Sequence, residues 1–517
     1  MIARSYDYIV VGGGSAGCIV AAELSENHGV LLLEAGPHAE SHPETLVASK
    51  YKDAFINPEL MHERFSVTDS RWGTRRLFMG SGRGLGGSGS VNAMVYTRGA
   101  KEDFDQWPEG WRWSDVAPDF ARVEDVLHPR KRPPTDWTER CITAAERSGF
   151  RRSENLNDGN LHGVLGYEYM NYEGDQRRSS FAAFLQPVLH RESLTVQTGA
   201  LADRVLFDGD RAIGMSYRVE GKPQAARARK EVILCAGSLA TPAILLRSGV
   251  GDAAALRQIG IEVVLDQPEV GRNLHDHPNV QLFFRGKRDV DCNYPQLYGF
   301  HRVGDDPSLQ PSQPDTCYVF YPARSSFREG LLRLLPGIVL PEEHYERGKG
   351  ALETGVRTAF KAGAVQQFVR KMWGIVVILG KPRSRGRLWI ETPDPTVTPQ
   401  IDPGYFADPR DLETLLRGVE LARDVSKNDP LRGFGNGELL PGRLNRNLER
   451  WARKNVMTTY HYAGTCAMGT VVDSKLRVNG LEGLRVADAS VMPITPVAAL
   501  NAPSMLIGWR AAQYCAS

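Results

Sequence analysis

Three glycines close to the start of the chain have the spacing of a turn that binds a pyrophosphate. Gly12, Gly14 and Gly17 form the pattern GxGxxG directly after the apolar residues 8–11. In such a turn the first glycine permits the tight bend, the second lets the backbone approach phosphate oxygens, and the third lets a helix pack against the strand. The start of that helix offers free N–H groups and the positive end of its dipole. The pattern therefore predicts a dinucleotide site.

The residues after the turn indicate which dinucleotide would bind. Glu34 lies 22 positions after Gly12, at the end of the apolar segment Val30–Leu33. A carboxylate at this place accepts hydrogen bonds from an adenosine ribose, whereas a 2′-phosphate would require an arginine. A second GxGxxG match at residues 82–87 follows no such strand, so we do not interpret it as a second site. With a single dinucleotide site, the simplest interpretation is one bound dinucleotide that carries its own redox ring, which favours a flavin.

A histidine in the C-terminal part of the chain is a candidate general base. An unperturbed imidazole has a pKa of about 6.5, which suits it to accept a proton from a hydroxyl group while a hydride leaves the same carbon. The chain contains 12 histidines, so position must select among them. His461 stands in the segment YHYAGTCAMG, residues 460–469.

Other reactive side chains lack the partners that their chemistry needs. His275 and His277 are two positions apart, but no third ligand for a metal is apparent. Cys466 has no evident electropositive neighbour to activate its thiol. No GxSxG segment indicates a hydrolase. We therefore expect neither a bound metal nor nucleophilic hydrolysis.

The glycine turn must be positioned by a parallel sheet that both ends of the chain enter. Residues 8–11, the glycines, an Ala- and Leu-rich stretch to Ser25 and the segment Val30–Leu33 have the order strand, turn, helix, strand, which predicts a βαβ unit. Further strand-like segments lie at residues 194–197, 204–207, 232–235, 263–265 and 484–487, and helical segments at 242–247 and 504–512. We therefore predict an α/β fold, α+β overall, with a discontinuous Rossmann-like cofactor domain.

The rest of the chain is expected to form a second domain. We assign residues 1–157, 190–284 and 456–517 to the cofactor domain, and residues 158–189 and 285–455 to a substrate-binding domain. The Gly- and Ser-rich residues 74–98 predict a long ordered loop. In residues 327–340 and 356–376 apolar and basic side chains alternate, which predicts two amphipathic helices. We expect them to cover the substrate entrance, with peripheral membrane attachment as the alternative.

Composition and charge exclude several classes of partner. Hydrophobic residues make up 42% and charged residues 24% of the 517, as in an ordinary globular protein. The 63 basic and 61 acidic residues leave a net charge of +2, so no overall field favours nucleic acid. Seven cysteines without a CxxC pair are too sparse for a disulfide framework, which favours a cytoplasmic location. We find no signal peptide and no apolar run that would span a membrane.

Several longer segments resemble the glucose-methanol-choline family of FAD-dependent oxidoreductases. GRGLGGSGSVNAM at residues 82–94 resembles the first family motif, and GSLATPAILLRSGVG at residues 237–251 resembles the second. VGRNLHDH at residues 270–277, SRG at 384–386 and IDP at 401–403 are similar to further landmarks. The resemblance extends over nearly the whole chain and implies the two-domain fold of that family.

The resemblance implies a set of residues around FAD. In the family the glycine loop passes beside the flavin, the segment after the last strand meets the pyrophosphate, and the residue that corresponds to Ala202 meets the adenine. Some relatives hold FAD covalently through a histidine before the loop asparagine, but Val91 occupies that position, so we expect non-covalent FAD. The expected cofactor residues are Gly12, Gly14, Ser15, Ala16, Gly17, Glu34, Ala35, Arg83, Gly86, Gly87, Ser90, Asn92, Ala93, Met94, Val95, Ala202, Ala236, Gly237, Asp488, Ala489, Asn501, Ala502 and Pro503.

The resemblance also implies the catalytic pair. His461 corresponds to the histidine that faces the flavin in the family's C-terminal motif, although Tyr462 replaces the proline that usually follows. Asn501, in the segment LNAPS, stands where the family has His or Asn and is expected to donate a hydrogen bond to the substrate oxygen. A helix N-cap is the competing role for this asparagine. Pro503 is expected to shape the wall of the site.

Together these features predict the oxidation of an alcohol. Primary alcohols are favoured, because the chain resembles the choline-dehydrogenase-like and pyridoxine-oxidase-like members of the family. Electrons would pass to oxygen or to a quinone-like carrier. Two alternatives stay open: a non-redox or light-driven enzyme of the same fold, such as a hydroxynitrile lyase or a fatty-acid photodecarboxylase, and a flavin protein that only binds or relays electrons. Bleaching of the flavin by an alcohol in the dark would separate them.

Overall fold

A seven-stranded sheet brings the N-terminal glycine turn next to the end of the chain. The computed structural model describes residues 4–73 and 75–516. Arg4–Val11 pairs in parallel with Val30–Leu33 and with Lys222–Leu234, and Leu484–Val486 pairs in parallel with Lys222–Leu234. The main path of strands is Leu194–Gln197, Val30–Leu33, Arg4–Val11, Lys222–Leu234, Arg211–Val219 and Ala200–Asp208. Val30–Leu33 is buried along its whole length, as expected for a parallel strand covered on both faces.

A second sheet of eight strands, mostly antiparallel, forms the other half of the molecule. Pro278–Arg285 pairs with Met372–Leu379 and also with Met457–Thr458. The main path of strands is Gly437–Leu440, Pro278–Arg285, Met372–Leu379, Thr316–Pro322, Leu297–His301, Val164–Tyr167 and Arg151–Ser153. The first sheet draws its strands only from the predicted cofactor segments. The second sheet also contains Arg151–Ser153, Pro278–Arg285 and Met457–Thr458, which lie largely within the predicted cofactor segments. The domain boundaries therefore stay a prediction.

Helices and short strands connect the two sheets. The helices are Gly17–Leu24, Tyr51–Ile56, Lys101–Asp105, Trp113–Leu127, Asp136–Glu146, Thr241–Arg247, Ala253–Gln258, Phe327–Val339, Tyr345–Ala359, Gly363–Arg370, Pro409–Lys427, Leu431–Phe434, Leu448–Asn455 and Asn501–Ala516. The short strands are Met61–His62, Ser81–Gly82, Val95–Tyr96, Arg130–Lys131, Tyr169–Met170, Tyr172–Glu173, Gln176–Arg177, Val250–Gly251, Leu265–Asp266, Arg387–Trp389 and Gln400–Asp402. No helix of the described residues is long and apolar enough to cross a membrane.

The last helix packs tightly on the glycine turn. A Cβ atom at Gly508 would lie 2.6 Å from the carbonyl oxygen of Ala16, so only glycine fits at this crossing. The helix begins at Asn501, three residues earlier than residues 504–512 predict. This packing places its first turn at the N-terminal turn of the first sheet.

One predicted helix is wrong. Residues 356–376 do not form a single amphipathic helix, because Tyr345–Ala359 and Gly363–Arg370 are separate helices and Met372–Leu379 is a strand. The strand is buried in the middle of the second sheet, so its sequence is a continuous apolar run. Periodicity alone does not distinguish such a run from a buried helix. Residues 327–340 do form a helix, Phe327–Val339. Of the predicted loop at residues 74–98, Thr74 lies outside the described residues.

Candidate active site

A cavity of about 1220 Å³ is lined by residues of both sheets. It contains most of the residues that the sequence indicates. The predicted residues in its wall are Gly12, Gly14, Ser15, Ala16, Glu34, Ala35, Arg83, Gly87, Asn92, Ala93, Val95, Ala202, Ala236, Gly237, His461, Asp488, Ala489 and Asn501. The predicted residues that do not line it are Gly17, Gly86, Ser90, Met94, Ala502 and Pro503. These six are described below by the packing that they provide.

The glycine turn has the geometry that a pyrophosphate needs. Gly12 has a φ of +102°, and a Cβ there would lie 2.5 Å from the carbonyl oxygen of Cys235. A Cβ at Gly17 would lie 1.9 Å from the oxygen of Gly12, so this glycine permits the helix to start against the turn. Among the described residues, the backbone N–H groups of Gly14 and Ser15 donate to no acceptor. Free donors at the start of a helix fit a phosphate group.

Glu34 connects three backbone segments at the end of the second strand. One carboxylate oxygen accepts from the N–H of Gly13 at 2.8 Å, and the other accepts from Gly36 at 2.7 Å and Gly84 at 3.0 Å. Burial raises the pKa of this carboxyl group, while the three N–H donors oppose that shift. A carboxylate has about four acceptor positions. One position therefore remains for a ribose hydroxyl, and Glu34 also has a structural role that its predicted function does not include.

The second glycine segment packs directly on the first. The N–H of Gly86 donates to the oxygen of Gly13 at 2.7 Å, and a Cβ at Gly87 would lie 2.8 Å from Cα of Gly14. Gly86 has a φ of +88°, and the hydroxyl of Ser90 closes the turn by donating to the oxygen of Leu85 at 3.0 Å. Gly86 and Ser90 therefore shape the loop from behind and leave Gly87 at the cavity.

A buried arginine fixes the next part of this loop. Arg177 donates to the oxygen of Gly89 at 2.9 Å, and to the side-chain and main-chain oxygens of Asn92 at 2.9 and 2.7 Å. It is 1% exposed, and burial lowers its pKa to about 9. Met94, with a φ of +66°, turns the chain away after Asn92 and is fully buried. Nothing in the sequence alone indicates this role of Arg177, because a lone arginine carries no signal without its fold.

Asp488, just after the last strand of the first sheet, holds a second cofactor loop in place by accepting hydrogen bonds. Its carboxylate accepts from the N–H of Gly237 at 2.8 Å, the hydroxyl of Thr241 at 2.6 Å and the N–H of Ser490 at 2.8 Å. Burial raises its pKa. The side of Gly237 on which a Cβ would lie is open, with nothing within 4 Å. This arrangement leaves room for a ligand over the loop that contains Ala236 and Gly237.

His461 lies in the wall of the same cavity and contacts a second histidine. Its Nδ1 lies 2.9 Å from Nδ1 of His277, with the two rings nearly perpendicular. Its backbone N–H donates to Asp276 at 2.8 Å, and the same carboxylate oxygen accepts from the N–H of His277 at 2.8 Å. The other oxygen of Asp276 accepts from the hydroxyls of Thr458 and Tyr405. This carboxylate holds both histidines in place.

Burial keeps both rings neutral. It lowers the pKa of His461 to about 4, and it lowers the pKa of His277 well below its ordinary value, with His461 as a further cause. Two neutral imidazoles in contact share one proton between their Nδ1 atoms. In the tautomer with that proton on His461, its Nε2 has a free lone pair. In the sequence His277 is a candidate only for metal binding, and its contact with His461 is not revealed by the HDH pattern alone.

Asn501 joins the last helix to the glycine turn. Its Nδ2 donates to the hydroxyl of Ser15 at 2.8 Å, and its Oδ1 accepts from Nδ2 of Asn171 at 3.1 Å. One of the two hydrogens on Nδ2 is thus free to meet a ligand. Ala502 and Pro503, the next residues of the helix, are buried behind it. Among the described residues, Asn501 has no hydrogen bond to His461, although both line the cavity.

These features together define a class of protein. Parallel strands that end in a glycine turn, a carboxylate at the end of the second strand, and a cavity with a neutral histidine in its wall are the arrangement expected for an oxidoreductase with a bound dinucleotide. No cluster of three or more potential metal ligands occurs among the residues that the structure describes.

The chain belongs to the GMC oxidoreductase family. The N-terminal family model matches residues 6–279, and the C-terminal model matches residues 382–508. It is 31% identical to an oxygen-dependent choline dehydrogenase from Chromohalobacter salexigens, over 99% of this chain and 94% of that protein. It is 32% identical to one from Pseudomonas fluorescens over the same shares. These matches confirm the family that the motifs predict.

Solved structures of other proteins have the same fold. Pyridoxine 4-oxidase from Mesorbium loti matches with a TM-score of 0.84 and 26% identity, over 98% of each chain. A variant of formate oxidase from Aspergillus oryzae matches the fold with a TM-score of 0.84 and 24% identity, over 99% of this chain and 98% of that one. The fold class is thereby confirmed, and the cofactor of this family is FAD, which the glycine turn, Glu34 and the Asp488 loop fit.

Proposed function

We propose that this chain oxidises a primary alcohol to the aldehyde, with His461 as the base and FAD held without a covalent bond. Membership of the family supports an alcohol oxidoreductase in general. The observation that carries the finer proposal is the neutral imidazole of His461 in the cavity wall, supported from behind by His277 and Asp276. An imidazole that is neutral at physiological pH is ready to accept a proton.

Each residue has a distinct task in this proposal. When bound, FAD supplies the acceptor for the hydride of the carbinol carbon. His461 accepts the hydroxyl proton at Nε2, while its Nδ1 stays in contact with His277. The free N–H of Asn501 donates to the substrate oxygen as negative charge develops there. Ser15 and Asn171 orient that amide through the two hydrogen bonds described above.

Substitution of the two residues tests the proposal. We expect His461→Ala to retain FAD and to reduce it about 10² to 10⁴ times more slowly, as for a lost general base. Asn501→Ala should slow reduction by about 10² to 10³, as for one lost donor to an oxyanion. The measurement is anaerobic bleaching of the flavin in the dark by a primary alcohol. His190→Ala, at an exposed position outside the cavity, is the matched control and should keep the wild-type rate.

A clear result would contradict this mechanism. If His461→Ala with full FAD content bleached its flavin at the wild-type rate, His461 would not be the base. If no alcohol bleached the wild-type flavin in the dark, the protein would be a non-redox or light-driven enzyme of this fold, or an electron relay. Reoxidation by oxygen, compared with reoxidation by a quinone-like dye, then identifies the electron acceptor.

A further inference from the structure

The helix Phe327–Val339 forms one apolar wall of the cavity, and we call it the lid helix. Leu331, Leu334, Leu335 and Ile338 line the cavity, and they follow each other at the three- and four-residue spacing of one helix face. Phe327, at the start of the helix, lines it too. The lid helix thus turns a continuous hydrocarbon surface towards the site.

This wall extends to the residues next to the proposed chemistry. Leu334 packs in one apolar cluster with Phe55, Val91 and Tyr460. Tyr460 directly precedes His461, and Val91 directly precedes Asn92 in the cofactor loop. A substrate whose hydroxyl reaches His461 would therefore have the rest of its structure against this cluster.

The second sheet supplies an equally apolar wall. Val319, Val376 and Ile378 line the cavity from adjacent strands, and Val319 and Ile378 form part of a buried apolar cluster with Val497. Val376 packs against the same cluster. Aliphatic side chains therefore line the cavity on this side as well.

The buried carboxylates around the cavity already have partners in the protein. Glu34 and Asp488 each accept three hydrogen bonds at the cofactor loops. Glu63 is neutralised by two cations, since Arg333 lies 2.5 Å and Lys349 2.8 Å from its Oε1. Asp276, beside His461, accepts four hydrogen bonds. Glu220 also lines the cavity, but it is exposed in the turn between two strands of the first sheet.

Two aromatic rings near the lid helix already have a cation of their own. The guanidinium of Arg333 lies 5.9 Å from the ring centre of Phe55 and 5.6 Å from that of Phe78. Arg64, which is 8% exposed and lines the cavity, donates to the hydroxyl of Ser81 and adds another positive charge. A substrate ammonium group near the lid helix would thus lie close to two guanidinium groups, which is unfavourable because like charges repel.

We propose, on the basis of the proposed function, that the substrate is an uncharged primary alcohol with an apolar chain or ring. The lid helix and the second sheet bind the apolar part, and the hydroxyl reaches His461. A quaternary ammonium alcohol is disfavoured, because Arg64 and Arg333 place positive charge beside these walls and the buried carboxylates already have protein partners. The substrate class therefore differs from that in the names of the choline dehydrogenases to which the chain is similar.

Two alcohols of the same shape test this proposal on the wild-type holoenzyme. One is choline, and the other is its neutral isostere, in which a tert-butyl group replaces the trimethylammonium group. We expect kcat/KM for anaerobic flavin reduction to be at least about tenfold higher for the isostere, because the site desolvates a cation without compensation. Along a series of linear primary alcohols, kcat/KM should rise about three- to fourfold for each added methylene until the cavity is filled.

A variant pair tests the role of the lid helix. Leu331→Glu places a carboxylate in the apolar wall and should reverse the preference, with kcat/KM falling for the isostere and rising for choline. Val339→Glu places the same charge on the same helix at a 55% exposed position outside the cavity wall, and it should keep the wild-type preference.

The outcomes separate the two proposals. Equal or faster reduction by choline in the wild-type enzyme would overturn the substrate class and leave alcohol oxidation standing. No reduction by choline, by its isostere or by any linear alcohol would overturn alcohol oxidation itself, and the substrate class with it. If Leu331→Glu folded and bound FAD but kept the wild-type preference, the lid helix would not select the substrate.

Discussion

At the scale of single residues, the site depends on neighbours that hold the proposed catalytic groups in place. His461 was identified from its motif, but the motif does not show that His277 and Asp276 support it. These two residues lie more than 180 positions away along the chain, and only the pairing of strands brings them together. Residue types and spacing can therefore predict a candidate base, whereas the residues that hold it in place emerge only from the fold.

The protonation state of His461 leads to a prediction about pH. Because burial lowers its pKa to about 4, the imidazole is neutral and competent from alkaline pH down to well below its ordinary pKa of about 6.5. We expect kcat/KM for flavin reduction to be constant between about pH 5.5 and 8 and to fall only as the pH approaches 4. Rapid mixing of enzyme and alcohol across this range measures it. An acid limb with a midpoint near pH 6.5 would show that burial does not shift this group.

Val91 leads to a prediction about the cofactor. Its side chain lines the cavity and is a saturated hydrocarbon, so it offers no atom for a bond to the flavin. We expect acid precipitation to leave yellow FAD in the supernatant. A pellet that stays yellow would contradict this prediction, and His62, another imidazole in the cavity wall, would then be the first residue to examine by peptide mapping.

At the scale of elements, the predicted strand bounds are correct where the apolar pattern and the turn residues agree. Val30–Leu33 and Leu194–Gln197 are strands with the predicted bounds, because short apolar segments beside a glycine turn belong to a parallel sheet. Residues 356–376 were misread, because the apolar run of a central strand resembles a buried helix. The strand Thr316–Pro322 was not identified at all, since it is buried on both faces and lacks alternation.

The cofactor loop depends on an element that lies far from it in sequence, which leads to a prediction. Arg177→Met would leave the main-chain oxygens of Gly89 and Asn92 without their buried donor, at roughly 1 to 3 kcal/mol for each unsatisfied group. We expect the loop to loosen and the variant to retain less FAD after desalting. Arg178→Met is the matched control, because Arg178 donates instead to Leu127 and Val126. It should lose some stability but keep its FAD. Equal FAD content in both variants would show that Arg177 does not hold the loop.

At the scale of the whole molecule, the cavity exists only because the chain passes repeatedly between the two sheets. The glycine turn comes from the start of the chain, the second wall from its middle, and His461 and Asn501 from its end. Family motifs can predict the members of such a site, since each motif is local. They do not predict which apolar residues of the middle segment meet the substrate, because that depends on how the strands of the second sheet align.

A buried carboxyl group next to the second sheet makes the free energy of unfolding depend on pH. Glu168 follows the strand Val164–Tyr167 and is fully buried, where it accepts from the hydroxyl of Thr97 at 2.7 Å and the N–H of Tyr169 at 3.0 Å. Burial raises its pKa from 4.5 to about 8. The folded protein therefore binds a proton that the unfolded chain has already lost between these two pH values. Linkage then makes the free energy of unfolding fall as the pH rises through this range.

We expect this effect to be clearest between about pH 7 and 8. The histidines His275, His277 and His461 have lowered pKa values, so they change the free energy of unfolding in the opposite direction. They do so only near and below about pH 6.5, where the unfolded chain takes up protons. The slope should approach about 1.4 kcal/mol per pH unit for one proton. Glu168→Gln is uncharged at every pH and should remove this slope, whereas Glu154→Gln, at an 84% exposed side chain, should keep it. Denaturant unfolding at several pH values measures the difference. If Glu168→Gln had the wild-type slope, Glu168 would not carry the extra proton, and another buried group would have to account for it.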